Sequence, residues 1–252
     1  MNLSRHPSEV PILLLTLLGV AVLVLLTSLV SLCLVPVIML IMVVMAYAAN
    51  KNYHQQVMQA GQQVTPQSSP ELYALVERCR QRLNAPPVVV YVVNNRERNA
   101  YTFGLSSPNV IVLHSSLLRI MDADELAFVI GHEMGHVVFS HTWLNTLIGG
   151  MAGIPMPFGA AIVLTLIFRS WSRACEYSSD RAGLVACGRL DKAVHALVEI
   201  VAGDVNDPAQ IQQVLQLLDQ QDEQAGSILG EFLSTHPLIA KRVAELRDFN
   251  AA

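Results

Sequence analysis

The hydrophobic pattern of this chain changes character several times along its length. From Val10 to Asn50 no charged residue interrupts a run that is almost wholly apolar. One straight helix over these 41 residues would reach about 60 Å at ~1.5 Å per residue, twice the ~30 Å hydrocarbon core of a bilayer. The run therefore predicts two membrane spans, residues 10–26 and 32–50, divided at Thr27, Ser28 and Ser31; Pro36 could instead mark the turn or a kink. A signal peptide, suggested by Ala46-Tyr47-Ala48, is disfavoured because the run far exceeds the ~7–15 residues of an apolar signal core.

Residues 53–69 are polar and read as a linker. An amphipathic helix follows over 70–83, with Ser69 as N-cap and Pro70 at its first position. The β-branched runs 88–93 and 110–113, with 99–104 pairing between or beside them, predict a sheet of about three strands. Asp122 or Asp124 caps a helix through Leu126, Val129, Ile130, Met134, Val137 and Val138, spaced on the helical period. A second charge-free run, 142–168, is too short for two full spans; its Gly149-Gly150 and Pro155-Met-Pro157 breaks suggest a helical hairpin that dips into the membrane or lies over the domain as a lid. Further helices are expected over 191–202, 208–222 and 237–249. This gives a membrane anchor over 1–50, a linker over 51–69 and a folded domain over 70–252.

Composition agrees with an anchored protein. The chain is 52% hydrophobic and only 14% charged, with a mean hydropathy of +0.42, too apolar for an ordinary soluble domain. Its 16 basic and 20 acidic residues give a net charge of -4 and form no basic stripe, which removes nucleic acid as a partner and leaves membrane lipid and polypeptide. Arg5 and Lys51, flanking the first run, suit a hairpin whose ends face the cytoplasm. Cys33, Cys79, Cys175 and Cys187 show no paired spacing, consistent with a reducing compartment.

The chemistry concentrates in His132-Glu133-Met134-Gly135-His136. In H-E-x-x-H the histidines stand one helical turn apart on one face, so both imidazoles can reach one Zn²⁺, and Glu133 can act as base toward water there. A catalytic zinc needs a third protein ligand. The metzincin pattern is excluded, since it requires Gly at 139 and His at 142, where the chain has Phe139 and Thr142. His141 is out of register for a ligand and reads as a surface histidine or one supporting a ligand. Glu176 in Glu176-Tyr-Ser-Ser-Asp180 is the better candidate. E-x-x-x-D again spans one turn, so Asp180 can accept the outward N–H of a ligating histidine.

HEMGH, EYSSD forty residues after His136, and Ser234-Thr-His-Pro237 with Arg242 together resemble the HtpX and CAAX prenyl endopeptidase group of membrane zinc metallopeptidases. The similarity covers most of the chain from Pro70 onward. It implies an α+β architecture: a mainly helical zincin-like (gluzincin) domain with a small sheet, behind a transmembrane helical hairpin. It also implies zinc held by His132, His136 and Glu176, with Glu133 as catalytic base. His236 would donate to the oxyanion, and Arg242 would approach the cleft. Asn99, Ala100, Tyr101 and Thr102 would belong to a cleft-edge strand binding extended peptide. The expected activity is endoproteolysis of membrane or misfolded proteins, from a cell (inner) membrane with the peptidase facing the cytoplasm. A protease with one defined substrate, or a metal-binding scaffold or chaperone without turnover, are the alternatives; the intact Glu133 speaks against the last. A transporter is disfavoured because neither apolar run contains an ionisable residue.

Overall fold

A computed structural model of the chain describes residues 3–31, 34–104, 108–142, 160–201 and 237–251. Two long helices open it, α1 (Glu9–Ser31) and α2 (Leu34–Ala60), and they pack against each other. Then come β1 (Gln62–Gln63), α3 (Pro70–Leu83), β2 (Val88–Val93), β3 (Ala100–Phe103), β4 (Asn109–His114), a short α4 (Leu117–Ile120), α5 (Ala123–Val138), α6 (Ala160–Cys187), α7 (Leu190–Val201) and α8 (Pro237–Ala251). The architecture is mainly helical with one small mixed sheet.

Among the described residues one helix, Glu9–Ser28 within α1, is long and apolar enough to cross a membrane. Leu14, Leu15, Leu18, Leu25 and Leu26 point outward from it, more than half exposed. The helix α2 does not stop at Asn50 but continues to Ala60 through the stretch expected as linker. That stretch then supplies a fourth strand the sequence did not predict, β1. Two glutamines carry no alternation to read, and β1 exists only because it pairs antiparallel with β2. The sheet order is β1-β2-β4-β3, with β2 parallel and β3 antiparallel to β4, so β3 is an edge. Residues 143–159, most of the expected apolar hairpin, and the helix expected over 208–222 lie outside the described residues.

The helix α5 is the axis of the domain. Its start is fixed by a capping box: Asp122 Oδ1 accepts from the Asp124 and Glu125 amides, and Glu125 Oε2 accepts from the Asp122 amide, satisfying N–H groups a helix start leaves without partners. Ser69 is the N-cap of α3, but its side chain makes no such bond. Phe128, Ile130 and Met134 of α5 join Ile111 and Leu113 of β4, Leu184 of α6, Leu197 of α7 and Ile239 and Leu246 of α8 in one buried core. A smaller cluster, Trp171 and Cys175 with Ile12, Leu13 and Phe168, joins α6 to α1.

Two glycines let α6 lie unusually close to α5. A Cβ at Gly131 would stand 2.3 Å from Ala186 Cβ and 3.1 Å from Gly183 Cα. One at Gly135 would stand 2.9 Å from Ser179 Cα and 2.8 Å from Ala182 Cβ. Backbone atoms on the far side cannot give way as a flexible side chain would. Gly131→Ala should therefore destabilise the domain by about 1–3 kcal/mol, the usual range for overpacking. Gly19→Ala, where nothing lies within 4 Å, should be neutral or slightly stabilising. Urea unfolding of both variants in detergent checks this; equal midpoints would remove the steric account.

Candidate metal centre and cleft

The register of α5 against α6 brings the motif residues together. His132, His136 and Glu176 each offer a ligand atom, all within 4.8 Å of one another. Both ring Nε2 atoms face the same carboxylate: His132 Nε2 lies 3.5 Å from Glu176 Oε2, and His136 Nε2 lies 3.5 Å from Glu176 Oε1. Two imidazoles and a carboxylate converging from two helices suit a catalytic zinc with an open position. On the outer side, His132 Nδ1 lies 2.9 Å from Asp180 Oδ1. That contact fixes the tautomer and leaves Nε2 for a metal.

Arg242 on α8 completes the polar cluster. Its Nε donates to Asp180 Oδ2 at 2.7 Å and its Nη2 to Oδ1 at 2.6 Å, and Nη1 lies 3.2 Å from Glu176 Oε2. Glu133, buried on α5, accepts from the Thr102 hydroxyl of β3 at 2.6 Å. The cavity in front of these groups, about 270 Å³, is bordered by Asn99, Ala100, Tyr101 and Thr102 on one side and by Leu197, Ile200 and Arg242 on the other. The position expected for His236 lies outside the described residues.

Burial disfavours an imidazolium at His132, but hydrogen bonds to Asp180 and Glu176 and their charges outweigh it and raise the pKa to about 10. For His136, burial dominates and, with the neighbouring cations, lowers the pKa to about 3. His136 is thus neutral, the form that ligates metal. Burial would raise the Glu176 and Asp180 pKa values too, yet the Arg242 charge and the histidines hold both below the usual carboxylate range. Burial raises that of Glu133 against the opposing His132 charge and the Thr102 bond, which makes it a stronger base than an exposed carboxylate.

Three contacts escaped the sequence reading. Thr102, expected on the cleft-edge strand, also holds Glu133 through its hydroxyl. Glu9, just ahead of the first apolar run, is fully buried and meets His141, with Nε2 to Oε1 at 3.0 Å. The i, i+4 spacing of Arg5 and Glu9 was the available signal, and they pair at 2.5 Å.

An H-E-x-x-H helix joined by a carboxylate from a second helix, in a cleft bordered by an edge strand, defines a metal-dependent peptidase. The chain belongs to peptidase family M48, whose sequence profile matches residues 66–250. It is similar to a protease HtpX homolog of Gemmatimonas aurantiaca, 28% identical over 221 residues, with 75% of this chain and 79% of the relative aligned. A protease HtpX homolog of Acidiphilium cryptum is likewise 28% identical, covering 75% and 77%. The chloroplastic plastoglobule-localized metallopeptidase 48 of Arabidopsis thaliana is 28% identical over 71% of this chain and 57% of its own length. The protein is an HtpX-like metalloprotease, and its substrates are polypeptides.

The sign of the His132 shift gives a pH prediction. A pKa raised from 6.5 to about 10 stabilises the folded metal-free protein fully below 6.5, and that contribution is lost as the pH rises through about 10. Chelator-treated protein should therefore lose stability progressively from about pH 6.5 to about pH 10, and Asp180→Asn should flatten the profile. Denaturant titrations across this range check it; a wild-type profile that rises with pH would overturn the assignment.

Proposed function

We propose that this chain is a membrane-anchored zinc endopeptidase that cleaves membrane or misfolded polypeptides, with His132, His136 and Glu176 holding the metal and Glu133 as general base. The observation that carries the reading is the convergence of three ligand atoms within 4.8 Å beside a buried carboxylate fixed by Thr102. Bound there, zinc would supply Lewis acidity toward a peptide carbonyl and an activated water. The chain supplies the rest. Asp180 orients His132 through Nδ1, and Arg242 keeps Asp180 and Glu176 ionised. Glu133 takes the proton of the attacking water and returns it to the leaving amine. An extended substrate adds to the edge of β3 through main-chain hydrogen bonds, which leads its carbonyl past Glu133.

The anchor is read as a hairpin of two spans. Support comes from both of its outer ends: Arg5 and Glu9 contact α5 and α6, while α2 leads directly into β1 of the sheet. Both ends thus lie at the peptidase domain, and the domain is assigned to the cytoplasmic face. Single cysteines introduced as Ser4→Cys and Gln63→Cys should both react with a membrane-impermeant maleimide only from that face. Labelling from opposite faces would exclude the hairpin.

Glu133→Gln should retain zinc and lose at least about 10²–10⁴-fold in casein hydrolysis, the scale of general-base catalysis. Metal analysis and hydrolysis of detergent-purified protein check both halves. Undiminished cleavage by the variant would overturn the base assignment, and absence of stoichiometric zinc from the wild type would overturn the metal reading.

A further inference from the structure

The two histidines of the motif are supported differently. The outward nitrogen of His132 meets a carboxylate directly, Asp180 at 2.9 Å. That of His136 meets another imidazole: its Nδ1 lies 3.1 Å from Nδ1 of His141, and Nε2 of His141 lies 3.0 Å from Glu9 Oε1. His141 and Glu9 are 1% and 0% exposed. We propose that Glu9, at the start of α1, is a positioning residue for the metal centre and acts on His136 through His141. The inference rests on the reading of His136 as a metal ligand.

With Nε2 of His136 turned to the cavity, its Nδ1 carries the hydrogen and donates to Nδ1 of His141. His141 is then left with Nε2–H, which donates to Glu9. Each ring has one arrangement that satisfies both contacts, and all the donors run outward from the metal position to a carboxylate. This lengthens the carboxylate–histidine support of zinc ligands by one imidazole.

His141 and Glu9 are both locked in place. Ser140, at φ 59, turns the chain so that its amide donates to Val137 O and the His141 amide to His136 O at 2.8 Å, a Schellman ending of α5 that folds His141 back beneath His136. The Ser178 hydroxyl donates to Glu9 Oε2. Arg5 donates to Glu9 Oε1 at 2.5 Å and to Phe139 O at 2.6 Å. Glu9, His141 and Cys175 also lie close enough to hold a metal of their own. Arg5 already supplies the positive charge on that carboxylate, however, and Nδ1 of His141 is turned to His136, so the geometry favours a support over a second site.

The test is zinc affinity of the full-length protein in detergent, by competition with a chelator, for wild type, Glu9→Gln, His141→Leu and the double variant. Each single variant should bind zinc about 10–100-fold more weakly. The double variant should be no weaker than His141→Leu alone, because Glu9 acts through His141. The visible spectrum of the cobalt(II)-substituted protein should shift in Glu9→Gln. Glu245→Gln, which removes the carboxylate charge from the 2.9 Å contact of His6 to α8 without touching the chain of imidazoles, should keep wild-type affinity and spectrum. Wild-type affinity in either single variant, additive losses, or an equal loss in Glu245→Gln would overturn the inference while leaving the zinc reading intact. A wild type that takes up no zinc would overturn both. Wild-type affinity in His141→Leu overturns the inference even if Glu9→Gln does not fold.

Discussion

The close crossing of α5 over α6 is the constraint on which the rest of this structure depends. Gly131 and Gly135 sit one helical turn apart and form a seam without side chains, into which Ser179, Ala182, Gly183 and Ala186 fit. His132 and His136 repeat that four-residue spacing one position later, so their row is rotated about 100° from the seam and opens onto the cavity. The same holds across the interface, where Glu176 and Asp180 lie one turn apart on α6. A wider crossing, forced by ordinary side chains at the seam, would separate the imidazoles from both carboxylates together. The packing of the helices and the geometry of the centre are one arrangement.

That arrangement gathers charges in a buried place, which is expensive unless they are paired. Arg242 meets both acidic residues from α8, and in the metal-free protein an imidazolium at His132 adds a second positive charge. The division of labour follows from position. His132, between Asp180 and Glu176, holds a proton; His136, whose outer neighbour is an imidazole, is neutral. Because Arg242 comes from α8, far along the chain from α5, the centre is complete only when α8 is docked on α6.

Local periodicity made much of this readable in the sequence. The spacing of His132 and His136, and of Glu176 and Asp180, each describes one turn of one helix, and the β-branched runs marked β2 and β4. What could not be read depends on contacts between distant segments. β1 is two glutamines given meaning only by Val92 and Tyr91 across from them. The hydroxyl of Thr102 reaches Glu133 because an edge strand passes the H-E-x-x-H helix, and no local pattern encodes that passage. Ser140 adopts a backbone conformation usually left to glycine, so the turn that brings His141 under His136 carried no glycine to announce it. Glu9 lies 132 residues from its imidazole partner, beyond the reach of any periodicity.

These distant contacts bear on how the apolar N-terminal part relates to the cleft. The α1 helix begins on a carboxylate buried against the end of α5 and on Ser178 of α6. Near the end of α2, the ring of His54 stacks on Phe103 of β3, with centroids 3.6 Å apart and planes within 8°. One helix thus begins behind a motif histidine, and the other nears its end on the strand that borders the cleft. A flexible N-terminal tether would leave the centre indifferent to its position. Here the helices enter through buried polar contacts and ring stacking, so a displacement of either cannot leave its partner in the site unchanged. The two N-terminal helices are therefore part of the framework that holds the cleft.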